Sequence, residues 1–143
     1  MTNKKNFNWP WPNMTPEALL ENARTAAKRA YSPYSRFDVG AALLMADGSI
    51  ALGSNIENAS YSLTLCAERS AVAGMVSMGS LNPVAIAIAG GSSDSPCPPC
   101  GACRQVLAEF NPDMLVVLES PNRVIVINLN ELLPLSFSLT GKK

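Results

Sequence analysis

The 143 residues contain four cysteines and no histidine. Cys100 and Cys103 bracket Gly101-Ala102. That spacing puts both sulfurs on one face if the segment opens a helix. By itself the pair has three readings: a redox dithiol, half of a structural zinc site, or coincidence. Cys66 strengthens the metal reading, because it stands at a second predicted helix start, two residues before Glu68. Three thiolates leave one corner of a tetrahedral ion open, as in catalytic zinc sites, whereas structural sites close with four ligands. Cys97 lies in Pro96-Cys97-Pro98-Pro99-Cys100, where prolines hold an extended chain that directs it away from the shared face. It therefore reads as lying outside the site; its ligation would make the site closed and structural.

Without histidine, Ser-His-Asp and Cys-His mechanisms are excluded, and a general base must be Asp, Glu or a rarer group. A glutamate in the first turn of a helix is commonly just a partner for the helix dipole. Two residues from a metal ligand, Glu68 is also the best available proton carrier, since a dry pocket raises a carboxyl pKa. Three thiolates around Zn²⁺ leave a net charge of about −1, which opposes lowering the pKa of a bound water. Two helix N-termini, and hydrogen bonds from Arg69 to the thiolates, would offset that charge. The other reading of Arg69 is a solvated surface side chain.

The elements that must position these groups follow from local signals. Residues 1–14 form an extension carrying Trp9 and Trp11, and residues 15–143 a single catalytic domain. Thr15-Pro16-Glu17 caps a helix predicted over 16–30. Segments 37–45 and 49–54 read as a hairpin around Asp47-Gly48, a two-residue turn signal. Residues 55–64 are a polar loop. A helix over 65–78 is stopped by Gly79, and its Ala, Ser and Gly content permits close packing on another helix or another subunit. An apolar strand follows at 84–89, then a Gly-, Ser- and Pro-rich loop, a helix over 101–110, and strands at 114–119 and 123–129. Strand–helix alternation after a hairpin predicts an α/β sandwich with a mostly parallel sheet. If the strands before the two cysteine-bearing helices are neighbours, both helix starts lie at one sheet edge, where open α/β folds bind ligands.

Composition narrows the function. Hydrophobic residues make up 48% and charged residues 15%, with 11 basic against 11 acidic side chains. That balance gives no field to hold a phosphate backbone and argues against nucleic acid. No stretch is apolar and long enough to span a bilayer, and the polar N-terminus lacks the apolar core of a secretory signal. The expectation is a cytoplasmic protein without a membrane partner, where thiols serve metals or catalysis more often than disulfides.

The chain resembles the cytidine deaminase family in its small, three-cysteine zinc form. The resemblance rests on Ser32-Pro33-Tyr34-Ser35, Phe37-Asp38-Val39-Gly40-Ala41-Ala42-Leu43, Gly53-Ser54-Asn55-Ile56-Glu57-Asn58-Ala59-Ser60-Tyr61 and Cys66-Ala67-Glu68-Arg69-Ser70-Ala71. It continues through Pro99-Cys100-Gly101-Ala102-Cys103-Arg104-Gln105-Val106-Leu107-Ala108-Glu109-Phe110 and Glu131-Leu132-Leu133-Pro134 with Phe137, covering residues 15–137 in order. It implies a three-layer α/β/α sandwich on a five-stranded mixed sheet with an N-terminal β-hairpin. It also implies one Zn²⁺ per subunit on Cys66, Cys100 and Cys103, and hydrolysis of cytidine and 2′-deoxycytidine to uridine and 2′-deoxyuridine plus ammonia in pyrimidine salvage. Glu68 would move the protons between water, N3 of the cytosine ring and the leaving ammonia. Asn55 and Glu57 would hold the ribose hydroxyls, Phe37 the pyrimidine ring, and the Ala67 backbone N–H the base carbonyl oxygen. Phe137 would close a neighbouring subunit's site in a homotetramer with shared active sites.

A carboxylate at Glu57 fits neutral sugar hydroxyls and repels phosphate, which favours a free nucleoside. Read without the resemblance, Asn55, Glu57 and Asn58 are an ordinary polar turn. Three other functions stay open on the residues alone: deamination of a cytosine-containing nucleoside antibiotic, a non-catalytic zinc-binding module, and a thiol oxidoreductase built on Cys100 and Cys103.

Overall fold

A computed structural model describes residues 9–92 and 94–139. Thr15 caps helix α1 (Pro16–Ala27), its hydroxyl accepting the Ala18 N–H at 3.1 Å. The chain continues through β1 (Val39–Met45), β2 (Ile50–Ser54), a single 3-10 turn (Tyr61–Leu63), α2 (Ala67–Ser77) and β3 (Pro83–Gly90). It closes with α3 (Gly101–Phe110), β4 (Leu115–Ser120), β5 (Arg123–Asn128) and the short α4 (Leu129–Leu132).

The five strands form one mixed sheet in the order β2-β1-β3-β4-β5. Only β3 and β4 run parallel; the other three pairs are antiparallel. The expectation of a mostly parallel sheet is therefore corrected. Two of the connections are hairpins, which force antiparallel pairing, and β3 enters beside β1 instead of β2. The β1–β2 connection also differs from a two-residue turn. Met45 N–H bonds to the Ser49 carbonyl at 2.8 Å, so Ala46, Asp47 and Gly48 all lie in the loop. Gly48 takes φ +87°, the left-handed residue that a three-residue hairpin loop needs at its end.

Side chains alternate between two cores. Ala42, Leu44, Ala85, Ala87 and Val117 face α1, where Leu19, Leu20 and Ala23 are fully buried. Ala41, Leu43, Ile86, Ile88, Val116 and Leu118 face the opposite layer, where Met75 of α2 and Leu107 of α3 pack with Leu129. Gly40 and Gly53 let the helices approach. A Cβ on Gly40 would lie 1.9 Å from the Ala23 carbonyl oxygen of α1, and one on Gly53 2.1 Å from that of Ala67 in α2. The small residues at the start of α2 thus serve packing on β2. Trp9 and Trp11 meet edge-to-face at 5.1 Å and pack with Met14 against the α1-side core. The Trp9 indole N–H donates to the carbonyls of Trp11 and Met14 at 3.1 and 2.6 Å.

Candidate active site

The strands preceding α2 and α3 are not neighbours, because β1 lies between β2 and β3. Being antiparallel to both, β1 leaves β2 and β3 pointing the same way. Both helices consequently begin at the same sheet edge.

Cys66 and Cys100 occupy the same place in their helices. Each is the residue just before the first helical turn, with extended backbone (ψ 154° and 169°) and no side-chain capping bond. An extended residue at that position throws its side chain over the helix mouth, where unpaired amide N–H groups favour negative charge. Cys103, one turn into α3, is fully buried. The three sulfurs lie within 4.8 Å of one another. Zinc–sulfur bonds of about 2.3 Å in a tetrahedron need sulfurs roughly 3.8 Å apart, so the donor set fits the ion with a small contraction. Cys97 is not part of this group. Its half-buried sulfur takes the space a side chain on Gly90 would need, 2.9 Å from that Cβ position. Burial pushes its thiol pKa up, and the charges of Glu68 and Cys66 push the same way.

The thiols differ electrostatically. Burial pushes the Cys103 thiol up, with the Glu68 charge adding to it. At Cys100, partial burial is the largest influence and also acts upward. The amides of Cys103 and Ala102 and the thiols of Cys103 and Cys66 outweigh it and leave the group below its ordinary value. All four cysteines are free thiols.

Glu68 is 4% exposed. Its Oε2 lies 3.5 Å from the Cys103 sulfur, placing the carboxyl against the thiol cluster. Burial raises its pKa above the ordinary 4.5, against opposition from its own amide N–H, the Cys103 thiol and the Arg69 charge. A carboxyl poised in this way can both take and return a proton. Arg69 turns inward: its Nη2 donates to the Thr64 carbonyl at 3.3 Å and approaches the Cys66 sulfur at 3.7 Å. Its buried Nε has no partner among the described residues.

The polar loop, 55–64, grips the segment ahead of β1. Asn55 Oδ1 accepts the Val39 N–H and its Nδ2 donates to the Phe37 carbonyl, both at 2.8 Å. Glu57 Oε1 accepts the N–H groups of Tyr34 and Ser35 at 2.9 and 3.0 Å, and its Oε2 accepts the Ser35 hydroxyl. The Ser35 hydroxyl foremost holds the Glu57 carboxyl below its ordinary value, so it remains an anion. Both side chains have hydrogen-bonding capacity left over, since an amide can make about four bonds and a carboxylate accept about four. Phe37 stands 47% exposed beside Gly91. Ala67 is the first residue of α2 and fully buried. Phe137 is 68% exposed on the C-terminal segment, its carbonyl accepting from Gln105 of α3 at 3.1 Å.

Sequence reasoning gave no role to Arg104, which braces the thiol loop. Its Nε donates to the Pro99 carbonyl and its Nη1 to that of Leu132, each at 2.8 Å. Its position directly after Cys103 was the only available signal. An open cleft of about 430 Å³ near the end of β3, lined by Arg24, Lys28, Asp38, Gly91 and Glu119 among others, includes none of the four thiols.

A family model described as the cytidine and deoxycytidylate deaminase zinc-binding region matches residues 14–119. The chain belongs to this deaminase family. A cytidine deaminase of Halalkalibacterium halodurans is 50% identical over 127 residues, 87% of this chain and 96% of that protein. The crystal structure of a cytidine deaminase from Burkholderia pseudomallei superposes with a TM-score of 0.82 at 45% identity, covering 87% of this chain and all of the other. A Mycobacterium tuberculosis cytidine deaminase structure gives 0.76 at 45% identity, covering 86% and 97%. A blasticidin-S deaminase of Bacillus cereus is more distant, 29% identical over 83% of this chain and 91% of that protein. These likenesses support a five-stranded α/β deaminase fold with a zinc centre, for which Cys66, Cys100 and Cys103 supply the donor cluster.

Proposed function

We propose that the chain hydrolyses cytidine and 2′-deoxycytidine to uridine and 2′-deoxyuridine with release of ammonia. The observation that carries this reading is the buried Glu68 carboxyl beside three clustered thiols, a donor set that would leave a tetrahedral ion one open corner. Zinc held by Cys66, Cys100 and Cys103 would lower the pKa of water into the neutral range. Glu68 then takes a proton from the attacking water and places it on N3 of the cytosine ring. The water oxygen bonds to C4 in that step, and its second proton, now on the C4 hydroxyl, passes through Glu68 to the amino group; the C4–N bond then breaks, releasing ammonia as C4–O becomes a carbonyl. The raised carboxyl pKa suits both directions of transfer.

The remaining residues bind and orient. The Ala67 N–H, at the positive mouth of α2, meets the base carbonyl oxygen. Phe37 lies against the pyrimidine ring. Asn55 and Glu57 offer their remaining bonding capacity to the sugar hydroxyls, and the Glu57 anion disfavours phosphate. Arg69 offsets thiolate charge at Cys66. Phe137 closes the site of a neighbouring subunit in a homotetramer. Exposed Tyr34, Tyr61, Leu63, Val76 and Met78 supply apolar surface for such contacts. Residues 15–143 act as one catalytic domain, with 1–14 as an extension; residues 1–8, 93 and 140–143 lie outside the described structure. Four free thiols suit the cytoplasm. The balanced charge, 11 basic against 11 acidic residues, gives no support to a nucleic-acid partner, and no helix among the described residues is long and apolar enough to cross a membrane.

Assay of ammonia release on cytidine, deoxycytidine, cytosine and blasticidin S tests the substrate. The two nucleosides should turn over with a fall in cytosine absorbance. Reaction with blasticidin S alone would contradict the assignment.

A further inference from the structure

Phe37 is an exposed aromatic side chain on a loop, yet it is fixed at three points. Its backbone N–H donates to the Ser35 hydroxyl at 3.0 Å, and its carbonyl accepts from Asn55 at 2.8 Å. The third point is the ring itself, which rests on Gly91. A Cβ placed on Gly91 would lie 2.3 Å from the ring's Cε2, 2.8 Å from Cζ and 3.2 Å from Cδ2. The first two are shorter than real Cβ contacts, so a side chain at Gly91 must shift either the ring or the glycine backbone. The glycine cannot simply move away: its N–H donates to the carbonyl of Asp38 at 3.1 Å, tying it to the residue that follows Phe37. Gly91 also adopts φ +63°, where glycine carries no steric penalty.

We propose that Gly91 is a positioning residue: by lacking a side chain, it forms the seat that sets the Phe37 ring plane against which the substrate base packs. This rests on the reading that Phe37 faces the pyrimidine. A ring already held in its binding orientation loses less freedom when the base arrives, so the seat acts on substrate affinity more than on proton transfer. Cys66 and Glu68 stand at the start of α2 and Cys100 and Cys103 at the start of α3, at the far end of the loop that Gly91 opens, so chemistry after binding should change little.

The test is a double-mutant cycle on the zinc-loaded enzyme with cytidine, using Gly91→Ala, Phe37→Ala and the double variant. Gly91→Ala should raise KM about tenfold with kcat within about threefold of wild type. In the Phe37→Ala background, which itself raises KM, adding Gly91→Ala should have no further effect, because the ring it displaces is gone. An equal rise in KM with and without the ring would overturn the proposal, as would an unchanged KM for Gly91→Ala alone. An unchanged KM for Phe37→Ala would instead remove the reading of Phe37 on which it stands. Gly91→Asn guards against loss of fold, since asparagine tolerates positive φ but still carries the displacing Cβ; it should reproduce the KM rise and its dependence on Phe37.

Discussion

The thiol centre and the Phe37 arch lie on the same protein but are built on opposite terms. At the centre, Cys66 and Cys100 sit at helix mouths, Cys103 and Glu68 are buried, and the supporting backbone is regular helix on sheet. In the arch, the segment before β1 is exposed and irregular, and its shape comes from Asn55 and Glu57 hydrogen-bonding its backbone. Burial alters the proton affinity of the centre, whereas hydrogen bonds fix the geometry of the arch. The division matches the two tasks of an enzyme: a centre that changes protonation state needs a low dielectric, and a surface that admits a substrate must stay open.

If that division is right, losing Glu68 should damage chemistry and leave the metal in place. Glu68→Gln should lower kcat by about 10²–10⁴ while zinc per chain stays at the wild-type value, measured by single-turnover kinetics and metal analysis. Retained turnover would mean that another group carries the proton. The arch should respond differently. Asn55→Ala leaves the Val39 N–H and Phe37 carbonyl without their partner, so unfolding stability should fall by about 1–3 kcal/mol and KM rise more than kcat falls. A kcat loss as large as that of Glu68→Gln would erase the distinction between the two regions.

The smallest effect is one of pH. Hydrogen bonds from Ser35 and then Tyr34 hold Glu57 below its ordinary pKa of 4.5. A depressed carboxyl pKa stabilises the folded state fully above the unfolded value, and that stabilisation is lost as pH falls through the lower, folded value. The difference in melting temperature between wild type and Glu57→Gln should therefore be constant above about pH 4.5 and shrink below it. A difference that grew on acidification would show the carboxylate to be a burden to the fold.

The two regions were also unequally legible in the sequence. Cys66, Glu68 and the Cys100–Cys103 pair announce themselves through local spacing at helix starts, and the absence of histidine removes most competitors. The arch depends on contacts between distant segments. Asn55 and Glu57 read as a solvated turn because nothing local reveals that their side chains reach back to residues 34–39. The seat of Phe37 on Gly91 has no periodic signature, since the glycine belongs to a loop of the kind that sequence marks only as flexible. Strand–helix alternation alone suggests a mostly parallel sheet, whereas the sheet is mixed, as the family resemblance implies. Alternation of strands and helices gives the number of crossovers but not that β1 inserts between β2 and β3. The common direction of β2 and β3 kept both helix mouths at one edge regardless.

Everything proposed for the site requires that three sulfurs hold the metal and leave its fourth corner free of protein sulfur, with Cys97 standing outside. X-ray absorption spectroscopy of the zinc-loaded protein measures this directly. Three sulfur neighbours at about 2.3 Å and one lighter atom are expected, unchanged in Cys97→Ser. Four sulfur neighbours, with one lost in that variant, would contradict that requirement and leave Glu68 beside a closed structural site.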